Sequence, residues 1–492
     1  MNKAEKIEDV AKRRGFFWLS SEIYGGISGL YDYAHLGKAL KNKWEKTWKD
    51  FFLSLSDDFY EIESCNIMPE QVFIASGHLE NFVDPVVKCK KCGSYNRADH
   101  ILEEELKQNF EGLSPQEMAK IIKEHNIKCP KCKGPLEEVG ILNMMFPIRI
   151  GTDKPINAYL RPETAQGPYV NFKQEFNCLR KKLPIGLAII GKAFRNEISP
   201  RNLLIRMREF TQAELQIFFD PDAINEHEKF PEVENYKLML KPHTEKEAEI
   251  SCKDAVAKLK LPKFYVYHMA KIQQFYLDIL KIPKELLRFR ELSEEERAFY
   301  NKYHWDIELK LESLGGFKEV AGLHYRTDHD LGGHQKISKQ DMSVNIEGKK
   351  FVPHVLELSF GVDRNIYALF ELAYEEEERT VLKFPRSLSP FDCALFPLVN
   401  KDGIPEKAQE IRKMLKQFSL FYDDSGSIGR RYRRMDEIGV ACCITVDHQS
   451  VEDKTVTIRD RDSMKQVRVK IENLPRKILL FLEGTDLEKL GE

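Results

Sequence analysis

Between residues 36 and 55, apolar side chains recur at spacings of three and four: Leu36, Leu40, Trp44, Trp48, Phe51, Phe52 and Leu55. That period places them on one face of a long helix. A strand-like stretch over 58–67 follows and stops at Pro69, because proline has no N–H to give a sheet ladder. Within 86–140, Ser114 precedes Pro115 and stands three residues before Glu117, the signature of a capped helix start. Over 141–220, apolar runs such as Leu187–Gly191 and Leu215–Phe219 alternate with charged loops, as in antiparallel strands. Residues 221–312 are highly charged and mostly helical in pattern, and strand signals return at 317–360. A short acidic run ends at Arg379, and Pro385, Ser387, Ser389 and Pro390 read as a linker. Beyond it, 391–492 alternates strand and helix, as in a separate small α/β domain. No internal repeat is visible.

The chain has 492 residues, 42% hydrophobic and 31% charged, which predicts a globular protein with a substantial core. No apolar run reaches the ~18 residues needed to cross a membrane. The N-terminal stretch is polar and mixed in charge, without the apolar centre of a signal peptide, so a cytoplasmic location is expected. A net charge of -2 neither requires nor excludes a nucleic-acid partner, which needs only a local basic patch. Four of the ten cysteines form two C-x-x-C pairs, Cys89/Cys92 and Cys129/Cys132. Their internal spacing suits a Cys₄ zinc knuckle, although the 36 residues between the pairs exceed the usual interval. The other reading is a reduced knuckle held by packing alone.

Two strings carry the chemistry. One is Phe194-Arg195-Asn196-Glu197, a loop, then Arg206-Met207-Arg208-Glu209-Phe210; the other runs from Glu357 through Gly361-Val362-Asp363-Arg364. Taken singly, Arg195 and Glu197 would read as a surface ion pair and Phe210 as core. Together the strings resemble motifs 2 and 3 of class II aminoacyl-tRNA synthetases. The long helix and the strand ending at Pro69 resemble motif 1, which in that class builds a dimer interface. Further strings resemble glycyl-tRNA synthetases of the homodimeric type: Gly29-Leu30-Tyr31-Asp32-Tyr33, Ser76-Gly77-His78, Arg97-Ala98-Asp99-His100, Arg161-Pro162-Glu163-Thr164-Ala165-Gln166-Gly167, Trp305-Asp306-Ile307-Glu308, Arg326-Thr327-Asp328 and Gly429-Arg430-Arg431-Tyr432. The chain departs from that pattern at Ala34-His35, Ala213 and Phe360.

The resemblance implies an α+β fold: a class II antiparallel sheet flanked by helices, with inserted domains and a C-terminal α/β anticodon-binding domain. The expected division is 1–85 and 141–220 as catalytic parts with motifs 1 and 2, and 313–384 as the part with motif 3. Between them lie an insertion with the cysteine pairs at 86–140 and a mostly helical insertion at 221–312; 391–492 is the anticodon-binding domain. It implies ATP and Mg²⁺, with Arg195 and Arg364 catalytic. The nucleotide set would be Arg195, Asn196, Glu197, Ile205, Arg206, Met207, Arg208, Glu209, Phe210, Glu319, Val320, Gly361, Val362, Asp363 and Arg364. Within it, Arg195 would meet the α-phosphate, Phe210 and Arg364 would sandwich adenine, and Glu319 would hold Mg²⁺. Glycine would be held by Arg97, Glu163, Phe210, Thr211, Gln212, Ala213, Glu214, Arg326, Glu357, Leu358, Ser359, Phe360 and Gly361. Carboxylates suit a substrate that offers only an ammonium and a carboxylate. In the tail, Arg430, Arg431, Arg433 and Arg434 would meet tRNA(Gly), since arginine suits splayed single-stranded loops. The expected activity is glycine–tRNA ligation by a homodimer. Two other readings stand beside it: a non-catalytic, class II-like nucleic-acid-binding accessory protein, which would lack the motif arginines, and a sister synthetase for another amino acid.

Overall fold

The computed structural model describes every residue except 109, 111–112, 201, 298–299 and 492. Its centre is a nine-stranded sheet. In chain order the strands are β1 (Phe59–Glu61), β2 (Ile185–Phe194), β3 (Glu209–Phe219), β4 (Lys237–Lys241), β5 (Ala248–Ser251), β6 (Leu287–Glu291), β7 (Tyr303–Leu311), β8 (Gly316–Thr327) and β9 (His354–Gly361). Across the sheet they run β5-β4-β6-β7-β8-β9-β3-β2-β1. The pairings are antiparallel except β1 with β2 and β4 with β6.

Because side chains alternate across a strand, each central strand has a polar face and an apolar face. On β3, Ala213, Leu215 and Ile217 enter the main core, as do Leu356, Leu358 and Phe360 on β9. Helix α1 (His35–Leu53) covers that apolar face with Leu36, Leu40, Trp44, Trp48 and Phe52. Trp44, Trp48 and Phe52 stand around Phe360 at ring distances of 6.5, 5.8 and 5.0 Å. Such aromatic pairs add roughly 0.5–1.5 kcal/mol each beyond their buried area. The apolar stripe of the predicted helix is thus spent on the protein's own sheet. Helix α2 (Val362–Ala373) leaves the end of β9 directly and is buried on nearly every side.

Two sequence expectations need correction. The strand over 58–67 is two strands: β1, and Ile67–Pro69, which joins a separate three-stranded sheet with Phe146–Ile150 and Ile156–Leu160. The region 221–312 is not mostly helical; it supplies β4, β5, β6 and β7, beside the helices Cys252–Lys258 and Lys263–Gln274. β4, β5 and β6 are short and lie toward one edge of the sheet, and in β4 the charged Lys237 and Lys241 flank Leu238, Met239 and Leu240, which leaves no clean alternation to read. The helix Lys263–Gln274 is buried nearly all round, which leaves no amphipathic period to read.

Residues 83–143 hold a three-stranded sheet of Tyr95–Arg97, Val83–Cys89 and Leu136–Asn143 with two helices and a small core of their own. The helix Pro115–Glu124 starts on the Ser114–Glu117 capping box. In the tail, a five-stranded sheet runs Leu420–Tyr422, Cys393–Pro397, Cys442–Val446, Thr455–Asp460, Gln466–Lys470. It has a separate core, yet helix α3 (Ile428–Ile438) turns Met435 and Ile438 into the main core with Phe384. Arg379 and Arg459 both reach Asp436, and Arg13 and Arg14 reach Glu437. The tail is docked on the body rather than detached from it.

Candidate active site

The polar face of the sheet carries the site. Gln212, Glu214 and Gln216 rise from β3; Glu357, Ser359 and Gly361 from β9; His324 and Arg326 from β8; His304, Asp306 and Glu308 from β7. These form two adjoining compartments. One is lined by Arg195, Glu197, Ile205, Arg206, Met207, Phe210, Glu319, Gly361 and Arg364. The other is lined by Glu163, Glu214, Arg326, Glu357, Tyr300 and Asp306. Arg195, Gln212, Glu319, His324 and Ser359 border both.

In the first compartment Arg195 donates to the Pro162 carbonyl at 3.0 Å, and its guanidinium lies 5.2 Å over Phe210 and 5.3 Å from Phe82. Phe82 was not foreseen. Arg364 donates to the Ile205 carbonyl at 3.1 Å and pairs with Glu319 at 2.9 Å. Glu319 is half-exposed at the mouth. Glu197 is buried and accepts from Arg206 at 2.8 Å. Arginines anchored on protein acceptors thus line this compartment, Arg195 through its Nε and Arg364 also through Glu319, a setting for an oligophosphate.

In the second compartment Arg326 is fully enclosed. It is bonded to Asp330 at 2.8 and 3.0 Å, stands 3.2 Å from Glu357 and 3.6 Å from Glu163, and lies 4.5 Å from the Tyr300 ring. Burial works against ionised Glu163, but Arg326 and then His78 outweigh it and hold that carboxyl well below its usual range. Arg326 and His324 likewise outweigh burial at Glu357 and hold it at about 2. No cation among the described residues pairs directly with Glu214, and buried Arg161 acts on it only through its field. Burial, then the charges of Glu357 and Glu163, push it up to about 8. It accepts from Thr164 and Ser359 at 2.7 Å each and from Gln212 at 2.8 Å. Gln166 bridges Glu163 at 2.9 Å and Asp330 at 3.1 Å. A small zwitterion fits this chemistry: carboxylates for an ammonium, and arginine toward a carboxylate.

Several expected residues take other places. Ala213, Leu358 and Phe360 point to the opposite face of the sheet, and Val320 and Val362 are core, so none of these side chains meets a ligand here. The Thr211 hydroxyl faces α1, where it accepts from Lys41 at 2.7 Å. Asp363 is tied down by Tyr33 at 2.6 Å and by the Thr211 amide at 2.5 Å. Arg97 lines neither compartment, being paired with Asp84 and Asp99. Arg208 holds the Ser28 and Glu197 carbonyls at 2.8 and 3.0 Å, Glu209 pairs with Lys192 at 3.2 Å, and the backbone N–H of Asn196 donates to the Met144 carbonyl. The sequence reading missed Asp330, Gln166, His304 and His324. Asp330 was findable: it stands four residues after Arg326, as an ion-pair partner across one turn would.

Elsewhere, the four Sγ atoms of Cys89, Cys92, Cys129 and Cys132 lie within 4.8 Å of one another. In the tail, Arg430 and Arg433 are exposed on α3. Arg431 is not available to a partner: it is 2% exposed and donates to the Pro397, Leu398, Asp423 and Gly426 carbonyls. Arg434 is spent on Asp423 and Ser425.

Two family models match parts of this chain. Residues 150–373 match the model of the tRNA synthetase class II core domain (G, H, P, S and T), and residues 392–479 match that of an anticodon binding domain. A glycine–tRNA ligase of Pyrococcus furiosus is 43% identical over 570 aligned positions, covering 98% of this chain and 100% of that protein. One from Methanococcus maripaludis is 38% identical, covering 96% and 98%. Among solved structures, prolyl-tRNA synthetase of Cryptosporidium parvum superposes with a TM-score of 0.57 at 14% identity, over 98% of this chain and 75% of that one, a likeness of fold. No helix among the described residues is long and apolar enough to cross a membrane.

Proposed function

The chain belongs to the glycine–tRNA ligase family of class II aminoacyl-tRNA synthetases, and on that premise we propose how its site joins glycine to tRNA(Gly). The carrying observation is that the acid-lined and the arginine-lined compartments meet at Arg195. Glycine sits with its ammonium among Glu163, Glu214 and Glu357. Its carboxylate is turned toward Arg195 and the α-phosphate of ATP. A carboxylate oxygen attacks the α-phosphorus, the bond to the bridging oxygen of pyrophosphate breaks, and glycyl-adenylate forms. Arg195 meets the charge that builds on the α-phosphate oxygens, and Arg364 the far end of the nucleotide. The terminal ribose hydroxyl of the tRNA then attacks the acyl carbon, and AMP leaves with the electron pair. No side chain forms a covalent bond; positioning and fixed charge do the work. Both motif arginines are in place, which a non-catalytic relative would not need.

Class II synthetases use Mg²⁺ with ATP. Glu319, a half-exposed carboxylate between Arg364 and Arg195, suits a cation that keeps most of its waters, and would hold it beside the phosphates. At the knuckle, sulfur separations of 3.5 Å (Cys89–Cys132) and 3.7 Å (Cys92–Cys129) approach the roughly 3.8 Å edge of a tetrahedron with Zn–S bonds of ~2.3 Å. Structural zinc is the fitting ion. The tail would read the tRNA through Arg430 and Arg433.

We assign the homodimer to a different surface from the stripe of α1. Ile67, Ile74, Val170 and Ile337 are exposed by 37–47%, and Val170 and Ile337 border a groove with Val72, Ala75 and Met342. An apolar face of that kind is what a symmetric partner covers. The functional reading is tested by glycine-dependent exchange of pyrophosphate into ATP. Wild type should exchange, and Arg195→Ala should lose roughly 10²–10³-fold in kcat. Full exchange by that variant would overturn the role of Arg195.

A further inference from the structure

His324 and His304 have no part in the chemistry above, since glycine attacks as the ready-made carboxylate and needs no general base. Yet they sit side by side on the polar face, on neighbouring strands, with ring centroids 4.2 Å apart. His324 Nδ1 lies 2.5 Å from Glu357 Oε1, and its Nε2 lies 2.9 Å from His304 Nε2. His304 Nε2 is also 3.1 Å from Asp306 Oδ1, and its Nδ1 is 3.5 Å from the buried Asn301 amide. One arrangement of protons serves the whole chain. Asn301 donates to His304 Nδ1, and His304 Nε2–H is shared by Asp306 and His324 Nε2, which leaves the His324 proton on Nδ1, the buried ring nitrogen in close ionic contact with Glu357 but without an aligned hydrogen bond to it. The backbone makes room for this. A Cβ at Gly322 would stand 2.6 Å from His324 Nε2, so the ring can lie there only over a glycine.

We propose that His324, buttressed by His304, is a positioning residue that aims the Glu357 carboxylate at the glycine ammonium. The inference rests on the reading of the acid-lined compartment as the glycine site. Glu357 Oε2 is already fixed by Gln216 at 2.8 Å, Tyr169 at 3.3 Å and Arg326 at 3.2 Å. Oε1 has only His324 close by, with Arg326 at 3.4 Å. Without the imidazole, Oε1 is free to swing onto Arg326, and its lone pairs turn away from the cavity. A substrate with no side chain offers few contacts, so the direction of each carboxylate counts for much of its binding. His324 borders both compartments, but its charged neighbours (Glu357, Arg326 and Asp306) and the neutral His304 lie on the amino-acid side. Its removal should therefore be felt by glycine and not by ATP.

The test is pyrophosphate-exchange kinetics with wild type, His324→Leu, His324→Asn and His304→Leu. Asparagine places an N–H donor about where Nδ1 stands; leucine fills the space without one. His324→Leu should raise the glycine KM roughly tenfold, as loss of a buried polar contact to a charged group does. The ATP KM should stay within about twofold. His324→Asn should restore the glycine KM to within about threefold of wild type, and His304→Leu should fall between the two. A rescue by asparagine is something a purely space-filling role would not give. Equal glycine KM values for the leucine and asparagine variants would overturn the proposal, as would an ATP KM that rises in step with that of glycine. If His324→Leu does not fold, His304→Leu decides: a glycine KM raised above that of His324→Asn with the ATP KM unchanged supports the proposal, and a glycine KM equal to that of wild type overturns it. Absence of glycine-dependent exchange in wild type would instead refute the functional reading itself.

Discussion

Glu163, Glu214 and Glu357 line a compartment with the enclosed guanidinium of Arg326, and they do not share it equally. Glu163 stands 3.6 Å and Glu357 3.2 Å from it, and both stay ionised. Glu214 is served only by hydroxyl and amide donors, and burial with the two neighbouring charges raises it to about 8. In the empty pocket at neutral pH it therefore keeps its proton. An arriving ammonium favours the ionised form, so the proton must leave. Glycine binding near pH 7 should release close to one proton, and the release should fade above roughly pH 9, where Glu214 is already ionised. Calorimetry in buffers of different ionisation enthalpy measures this directly. Glu214→Gln should bind glycine more weakly and release none; a wild-type protein that releases no proton at pH 7 would contradict the assignment.

At the scale of the element, alternation along β3 and β9 decides what the unusual residues do. Ala213 and Phe360 neighbour functional residues in sequence, yet both lie on the far face, under α1. They shape the core and not the glycine pocket. Phe360→Leu should lower stability by about 1–2 kcal/mol through lost aromatic packing while leaving the glycine KM within about twofold. Denaturant melts and exchange kinetics on one preparation check both; a large KM change with unchanged stability would mean the strand register is misread. The same alternation shows how far the sequence could be read. The motif arginines, Glu163, Glu214, Glu357 and Ser359 were legible from their strings, and α1 from its period. Which of several adjacent residues face the ligand was not taken from the strings, although a period of two separates Glu357 and Ser359 from Leu358 and Phe360. His324 stands two residues before Arg326 and shares its face for the same reason. The strands of 237–291 were hidden because short edge strands tolerate charge on both sides, and the buried helix Lys263–Gln274 has no polar face to mark it.

Across the whole molecule, α3 joins the two tasks. Its inner face carries Met435 and Ile438 into the main core, and its outer face shows Arg430 and Arg433 to solvent. Four arginines clustered within five residues therefore divide by helical position, which a charge count cannot reveal. A combined Arg430→Ala and Arg433→Ala change should leave glycine-dependent exchange nearly intact, raise the KM for tRNA and make tRNA binding fall less steeply with salt. Arg431→Ala should instead destabilise the tail, because four backbone carbonyls lose their donor. Loss of exchange in the Arg430/Arg433 variant, with the protein still folded, would contradict the division. The apolar face around Val170 and Ile337 predicts a symmetric pair, so light scattering should give about twice the chain mass of 57.4 kDa; a value at the chain mass at micromolar concentration would reject that interface.

The central claim is that a pocket of carboxylates around one arginine selects glycine for activation beside Arg195. Its most direct test is pyrophosphate exchange with a panel of amino acids at equal concentration. Glycine alone should drive exchange well above background, with alanine and serine far below it; exchange with alanine equal to that with glycine would contradict the account.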